Sequence, residues 1–150
     1  MITKIYNFKK RVINKISSFV ISCCVANKGN LNVYGRVTIE NPKNLTLGKN
    51  VTINDGAYIN CRDKVVIGDN VSISAGCKIL TTGLNTDREH TAAEITINSN
   101  CWLGANSIIL PGVELAEGCI VGAAAVVTKS ELKSASTLVG IPAKTIHRGG

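Results

Sequence analysis

The residues from Asp87 to His90 form the densest polar cluster in the body of the chain, within the stretch GLNTDREHTAAE. Histidine is the side chain best suited to act as a general base near neutral pH. The chain has two histidines, and we favour His90 because His147 lies close to the C-terminus. Glu89 or Asp87 would orient the imidazole, unless both are solvated loop acids. The cluster therefore predicts a general base, unless His90 is an exposed loop histidine without a catalytic task.

A six-residue repeat must position this cluster. Aliphatic residues recur from residue 33 onward, with most steps of six and two of eight: Val33, Ile39, Leu47, Ile53, Ile59, Ile67, Ile73, Ile79, Ile97, Leu103, Ile109, Leu115, Val121 and Val127. A helix with this spacing would spread its apolar residues over all sides, and an antiparallel sandwich would not keep one phase for so long. The repeat predicts short strands wound into a prism, with the aliphatic residues inside and asparagines (50, 54, 70, 100 and 106) at the corners.

The repeat is interrupted once, by a step of eighteen residues between Ile79 and Ile97. Asn85 and Thr91 occupy the intervening hexad positions, and neither suits a core. We therefore expect a loop over residues 83–94 that leaves the prism. Excursions from a rigid scaffold are where function is often found.

The six cysteines form no CxxC pair, and no histidine lies at metal-ligand spacing from them. Cys77, Cys101 and Cys119 fall where the repeat requires a small residue, four positions after an aliphatic one. We interpret them as reduced, buried residues of a cytosolic protein. A disulfide framework is the alternative.

The first 30 residues differ from the rest in charge, with six basic residues and no acid, against eleven basic and ten acidic residues in the other 120. Their apolar residues recur at near-helical spacing and predict a basic amphipathic helix over residues 1–30, followed by a prism over residues 31–150. Three interpretations stay open: a signal peptide, a helix packed on the body, and a helix whose residues 1–28 rest on anionic lipid. The local charge suits a membrane surface or a phosphorylated ligand better than nucleic acid, so no nucleic-acid partner is expected.

The C-terminal half carries a family resemblance, in the run CWLGANSIILPGVELAEGCIVGAAAVVTKS followed by VGIPAKTI. It resembles the hexapeptide-repeat acyltransferases, in particular sugar and polysaccharide O-acetyltransferases of the maltose, galactoside and colanic-acid type. The resemblance implies an all-β fold, a left-handed parallel β-helix, assembled as a homotrimer with acetyl-CoA between neighbouring prisms and no metal. It also implies a saccharide acceptor in surface polysaccharide biosynthesis. With the basic helix, this favours a lipid-linked acceptor at the cytoplasmic face of a membrane.

The same resemblance implies roles for individual residues. Trp102 would lie beside the acceptor and the pantetheine end of the cofactor, Gly104, Ala105 and Ala123 would offer backbone groups, and Thr128, Lys129, Lys144 and Arg148 would meet the adenine and phosphates. One departure concerns the base, because relatives place their catalytic histidine where this chain has Leu84 or Asn85. Either the loop brings His90 to the same point, or Asn85 marks a lost base.

Two other functions remain open at this stage. The same base and cofactor would serve N-acetylation of an amino-sugar nucleotide, and a prism without catalysis would serve as a scaffold. A γ-type carbonic anhydrase is excluded, because its metal needs three histidine ligands and the chain has two histidines.

Overall fold

The computed structural model describes residues 2–27, 29–84 and 87–146. A single α-helix, α1 (Ile2–Cys24), opens this described part, and a short 3-10 helix follows at Pro42–Asn44. The helix ends six residues before the expected boundary at residue 30, since β1 (Ala26–Asn27) already pairs with a strand of the prism.

Within the described residues, the strands of the prism form three sheets, which we name A, B and C, and a separate two-stranded sheet lies apart from them. Sheet A holds β1, β4 (Leu45–Leu47), β7 (Val65–Ile67), β12 (Ile95–Ile97) and β15 (Glu114–Leu115). Sheet B holds β2 (Leu31–Val33), β5 (Val51–Ile53), β8 (Ser72–Ile73), β13 (Trp102–Leu103), β16 (Ile120–Val121), β18 (Thr137–Val139) and β19 (Lys144–Ile146). Sheet C holds β3 (Thr38–Glu40), β6 (Tyr58–Asn60), β9 (Lys78–Leu80), β14 (Ile108–Ile109) and β17 (Val126–Val127).

Successive strands pass from sheet B to C to A and then start the next coil, so the chain winds into a three-sided prism of about six turns. Neighbouring strands within each sheet are parallel, except that β19 runs antiparallel to β18. This confirms the parallel β-helix expected from the hexads. One antiparallel hairpin lies outside the prism and consists of β10 (Thr82–Leu84) and β11 (His90–Ala92).

The repeated aliphatic residues fill the interior as expected. All of them are buried except Ile39, which is partly buried against the same core. Inward residues stack in register from coil to coil, as Ile53, Ile73, Leu103 and Val121 do in sheet B. A column of this kind removes nearly all of its aliphatic surface from water, and this burial is the main stabilising term of the fold.

The corners explain the irregular steps of the repeat. Both eight-residue steps pass from sheet C to sheet A, one through the 3-10 helix and one through Cys61–Lys64. The hairpin leaves the prism at this same corner in the third coil. The corner between sheets C and A is therefore the one that accepts extra residues.

Asparagine has a structural role at the corner between sheets A and B. Asn50, Asn70 and Asn100 all have positive φ values, between 56° and 63°, which asparagine tolerates better than most residues. Their side-chain amides form a ladder, in which Asn50 Nδ2 donates to Asn70 Oδ1 and Asn70 Nδ2 donates to Asn100 Oδ1, both at 3.1 Å. Asn106 also has a positive φ, whereas Asn54 serves its corner by donating to the carbonyl of Ile73.

The cysteines are all free thiols. Cys61, Cys77, Cys101 and Cys119 are buried, which confirms the interpretation of the last three as small core residues. Burial raises the pKa of Cys61 to about 12 and the pKa values of Cys77 and Cys101 to about 11. These thiols stay protonated at neutral pH and are therefore poor nucleophiles.

Thiol labelling tests this distribution. We expect two thiols, Cys23 and Cys24, to react with Ellman's reagent within the mixing time, because both are exposed, and the other four to react only on unfolding. The double variant Cys23→Ser/Cys24→Ser serves as the control and should show no fast phase. Fast reaction of a third thiol in the native protein would contradict the described core.

Candidate active site

The excursion is a hairpin, in which β11 returns antiparallel to β10 and so brings His90 back towards the prism. Leu84 and His90 are cross-strand partners, and Thr81 accepts a hydrogen bond from the amide of Ala93 (2.9 Å) at the base. Directly opposed residues in an antiparallel pair have Cβ atoms about 5 Å apart. His90 therefore lies at the level of Leu84, one of the two positions at which the family resemblance implies the base. Asn85 lies outside the described residues.

The side chains of the hairpin are accessible. His90 and Glu89 are both exposed, as are Leu84 and Asp87. Arg88 has a positive φ of 64°, which turns the chain towards β11. The imidazole can therefore reach a molecule bound against this corner from outside the prism.

A buried polar network fixes the base of the hairpin. The hydroxyl oxygen of Thr81, which is fully buried, lies 3.0 Å from the carbonyl oxygen of Asn60 and accepts a hydrogen bond from the amide of Asp63 at 3.1 Å. Asn60 in turn donates from its side-chain amide to Glu40 at 2.8 Å. Buried groups that are fully paired hold one geometry, because any other leaves them without partners.

Tyr58 extends this network to the surface of sheet C. Its hydrogen bond with the Glu40 carboxylate raises the pKa of Tyr58. The pairing of β3 with β6 sets Glu40 beside Asn60 and Thr38 beside Tyr58. The sequence pattern did not lead us to predict these residues. The signal that could have found them is the polar residue at or just after the end of each of the first three strands of sheet C, at one corner of the prism.

A second group of residues lies at the corner between sheets B and C. The second residue after each inward aliphatic of sheet B forms a row along this corner, which we call the corner row: Gly35, Asp55, Ala75, Ala105 and Ala123. Hydrogen bonds between coils hold it, with Asn106 N donating to Ala75 O (2.9 Å) and Ala124 N to Ala105 O (2.8 Å). The row runs over five successive coils.

The corner row presents backbone donors. Within the described part of the chain, the amides of Ala105 and Ala123 have no hydrogen-bond acceptor. Their side chains are small, and Ala123 is exposed. An elongated ligand with carbonyl or amide oxygens along its length can therefore approach these amides.

Gly104 directly precedes the corner-row residue Ala105 and differs from it. Its amide already donates to Val121 O at 2.8 Å, and a Cβ on Gly104 would lie 2.6 Å from that oxygen. The glycine is needed so that two coils can approach each other. Its amide is thus occupied, and Ala105 is the nearest residue with a free donor.

Trp102 stands beside the corner row, on the outer face of sheet B. Its side chain is 51% exposed, and its indole N–H donates to Ser74 Oγ at 2.9 Å. Ser74 directly precedes Ala75, so this hydrogen bond fixes the indole next to the row. The structure thus brings Trp102, Ala105 and Ala123 together.

The other predicted residues lie elsewhere in the same chain. Thr128 and Lys129 are exposed after β17, at the corner between sheets C and A. Lys144 is exposed on β19, opposite Val139 in sheet B. Arg148 lies outside the described residues. One chain therefore places the hairpin histidine at one corner and the corner row at another.

A cleft of about 1000 Å³ lies between α1 and the start of the corner row. Lys9, Asn14 and Ser17 line it from the helix, and Tyr34, Arg36, Asn54 and Asp55 are among those that line it from the prism. These are hydrogen-bonding and mostly cationic or neutral groups. Over the described ranges, no three His, Cys, Asp or Glu side chains cluster closely enough to hold a metal ion.

Comparison with known proteins agrees with this fold. Residues 94–129 match the family model for the bacterial transferase hexapeptide (six repeats). A galactoside O-acetyltransferase of Escherichia coli (strain K12) is 30% identical over 121 residues, which are 73% of this chain and 59% of the relative. The chain spans 47–59% of the length of the first curated relatives it matches.

Two solved structures are similar in fold and sequence. A maltose O-acetyltransferase from Clostridium difficile 630 has a TM-score of 0.79 at 25% identity, over 85% of this chain and 71% of that one. A galactoside acetyltransferase in complex with coenzyme A has a TM-score of 0.76 at 29% identity, over 81% and 64%. Fold and repeats together define a β-helix of the hexapeptide type. The chain belongs to the hexapeptide-repeat transferase family.

The variant Thr81→Val tests the hairpin anchor. It keeps the side-chain shape but removes the hydroxyl that contacts Asn60 and the Asp63 amide, so we expect a loss of about 1–3 kcal/mol in the free energy of unfolding. Amides of the hairpin should also exchange with deuterium faster. The matched control is Thr52→Val on sheet B, which should change stability by less than about 0.5 kcal/mol. Unchanged stability and hairpin exchange in Thr81→Val would contradict the anchor.

Proposed function

We propose that the chain transfers an acetyl group from acetyl-CoA to a hydroxyl group of a saccharide. The observation that carries this proposal is the pair of free amides on Ala105 and Ala123 beside the exposed Trp102. A relative at 30% identity is named a galactoside O-acetyltransferase, and a solved relative at 29% identity binds coenzyme A. The activity, the substrates and the assembly of this chain are our proposals.

The cofactor would lie along the corner row. The pantetheine arm of CoA carries amide groups whose oxygens can accept a hydrogen bond from the amide of Ala123, with the indole of Trp102 alongside, which leaves the amide of Ala105 for the thioester oxygen. Thr128, Lys129, Lys144 and Arg148 are proposed for the adenine and phosphate end, where cations form charge-assisted hydrogen bonds.

The site needs a second copy of the chain. His90 lies on the hairpin at the corner between sheets C and A, whereas Trp102 and Ala105 lie at the corner between sheets B and C. In a homotrimer with threefold symmetry, the hairpin of one copy faces the corner row of the next at each interface. This arrangement also unites Thr128 and Lys129 of one copy with the row of its neighbour.

The reaction follows from these positions. His90 accepts the proton of the sugar hydroxyl while its oxygen attacks the thioester carbonyl carbon, and Glu89 or Asp87 holds the imidazole. The amide of Ala105 stabilises the oxyanion, because the amide of Gly104 is already occupied. The carbon–sulfur bond then breaks, and the CoA thiolate takes the proton from His90. No metal takes part in this sequence.

The acceptor would enter through the cleft beside α1. Its Lys9, Arg36, Asn14 and Asn54 groups can bind hydroxyl or phosphate oxygens of a saccharide. We propose a lipid-linked saccharide of surface polysaccharide biosynthesis, acetylated at the cytoplasmic face of the membrane. An amino-sugar nucleotide, which would be N-acetylated, is the competing acceptor that the assay must include.

The variant His90→Ala tests the base. With acetyl-CoA and a panel of glycans, we expect kcat to fall by about 100-fold or more, since a general base contributes that much. CoA binding should persist and can be followed by the fluorescence of Trp102, the single tryptophan. His147→Ala is the matched control and should keep full turnover.

Three outcomes would contradict parts of the proposal. Full turnover by His90→Ala would reject His90, and loss of turnover in Asn85→Ala alone would move the base to that position. Acetylation of amino-sugar nucleotides alone would reject the hydroxyl acceptor. CoA binding without transfer to any acceptor would favour a scaffold.

A further inference from the structure

Helix α1 is attached to the prism by only one side. The side-chain oxygen of Asn14 accepts a hydrogen bond from the amide of Gly35 at 3.0 Å. Ile21, seven residues further along the same face of the helix, packs on the core. Val25, just after the helix, is buried. Asn14, Ser17 and Ile21 are spaced three and four residues apart, so they lie on one face of the helix.

The opposite side of α1 is apolar and uncovered. Its residues recur at positions that share a face on a helix, and their exposed fractions are large: Val12 40%, Ile16 58%, Phe19 71% and Val20 52%. Cys23 continues the same stripe and is also exposed. We call these five residues the outer stripe. A soluble helix normally turns such a stripe towards the core, and this helix turns it away.

Basic side chains accompany the outer stripe. Lys15 directly precedes Ile16 and is exposed. Lys9 lies three residues before Val12, at the edge between the outer stripe and the cleft that it also lines, and it is exposed as well. The sequence of residues 1–30 contains no acid that would neutralise them. Lysine can lay its aliphatic stem along an apolar surface while its ammonium group reaches a more polar layer.

We infer that the outer stripe of α1 binds an anionic lipid bilayer and lies in the plane of the headgroups. Apolar residues with flanking lysines and low net hydrophobicity are the composition of an interfacial helix. Each lysine near an anionic surface contributes about 1 kcal/mol. Within the described residues, no helix is both long and apolar enough to cross a bilayer.

A second copy of α1 fits this stripe less well. Helices packed stripe to stripe would bring two sets of lysines together without an acidic residue between them, which is unfavourable. An anionic lipid satisfies both requirements, because its acyl chains cover the apolar side chains and its phosphate pairs with the lysines. The cleft beside α1 would then open next to the headgroups. Only the entry of the acceptor through this cleft rests on the proposed function.

Vesicle binding by the full chain tests the inference. We expect sedimentation with phosphatidylcholine vesicles that contain phosphatidylglycerol, weaker binding without it, and weaker binding in high salt. The variant Ile16→Ser/Phe19→Ser should bind about tenfold or more weakly, because it removes two large apolar side chains. Lys15→Gln should weaken binding to the anionic vesicles alone. Leu132→Ser, which alters a leucine on the prism that is 70% exposed, is the matched control and should bind as the wild type does.

The outcomes separate the possible occupants. Absence of wild-type binding to anionic vesicles, or equal binding by Ile16→Ser/Phe19→Ser, would overturn the inference. A change of oligomeric state in that variant with unchanged vesicle binding would assign the stripe to a second copy. Acetyl transfer to a water-soluble glycan without lipid is measured separately, so failure of the proposed activity cannot be mistaken for failure of membrane binding.

Discussion

The stacking of each coil directly on the next is the constraint on which the rest of the structure depends. Parallel strands lie about 4.8 Å apart, so a residue at a given position of one coil has its counterpart at that distance in the next. Inward positions become columns of aliphatic side chains, and corner positions become rows. The asparagine ladder and the row from Gly35 to Ala123 are both consequences of this register. A row of regularly spaced amides suits a long, flexible cofactor arm.

The hairpin is a long departure from this register between two coils, and its position is not arbitrary. The corner between sheets C and A already takes extra residues in the first two coils. There the polar residues Glu40, Asn60 and Thr81 end successive passes of sheet C and pair with one another, so a rigid base carries the exposed His90. The prism fixes the geometry of the corner row at one corner, and the hairpin extends His90 outward at another.

Much of this could be predicted from the sequence, and the remainder could not for physical reasons. Inward residues such as Ile53 and Leu103 repeat at one spacing, so the coil followed from periodicity. The roles of Trp102 and Ala123 towards the cofactor come from family resemblance and stay predictions. The hairpin register that pairs His90 with Leu84 depends on buried hydrogen bonds that carry no period. The occupied amide of Gly104 and the outward turn of Phe19 depend on what lies across from each residue, which a linear pattern does not contain.

The central claim is that each site joins the hairpin of one copy to the corner row of the next. Co-expression of two inactive variants tests it most directly: His90→Ala, which lacks the base, and Ala123→Tyr, which fills the corner row. In random trimers, one interface in four pairs an intact hairpin with an intact corner, so we expect about a quarter of wild-type acetyl transfer to return. Hybrid trimers seen by native mass spectrometry that remain inactive would contradict the account.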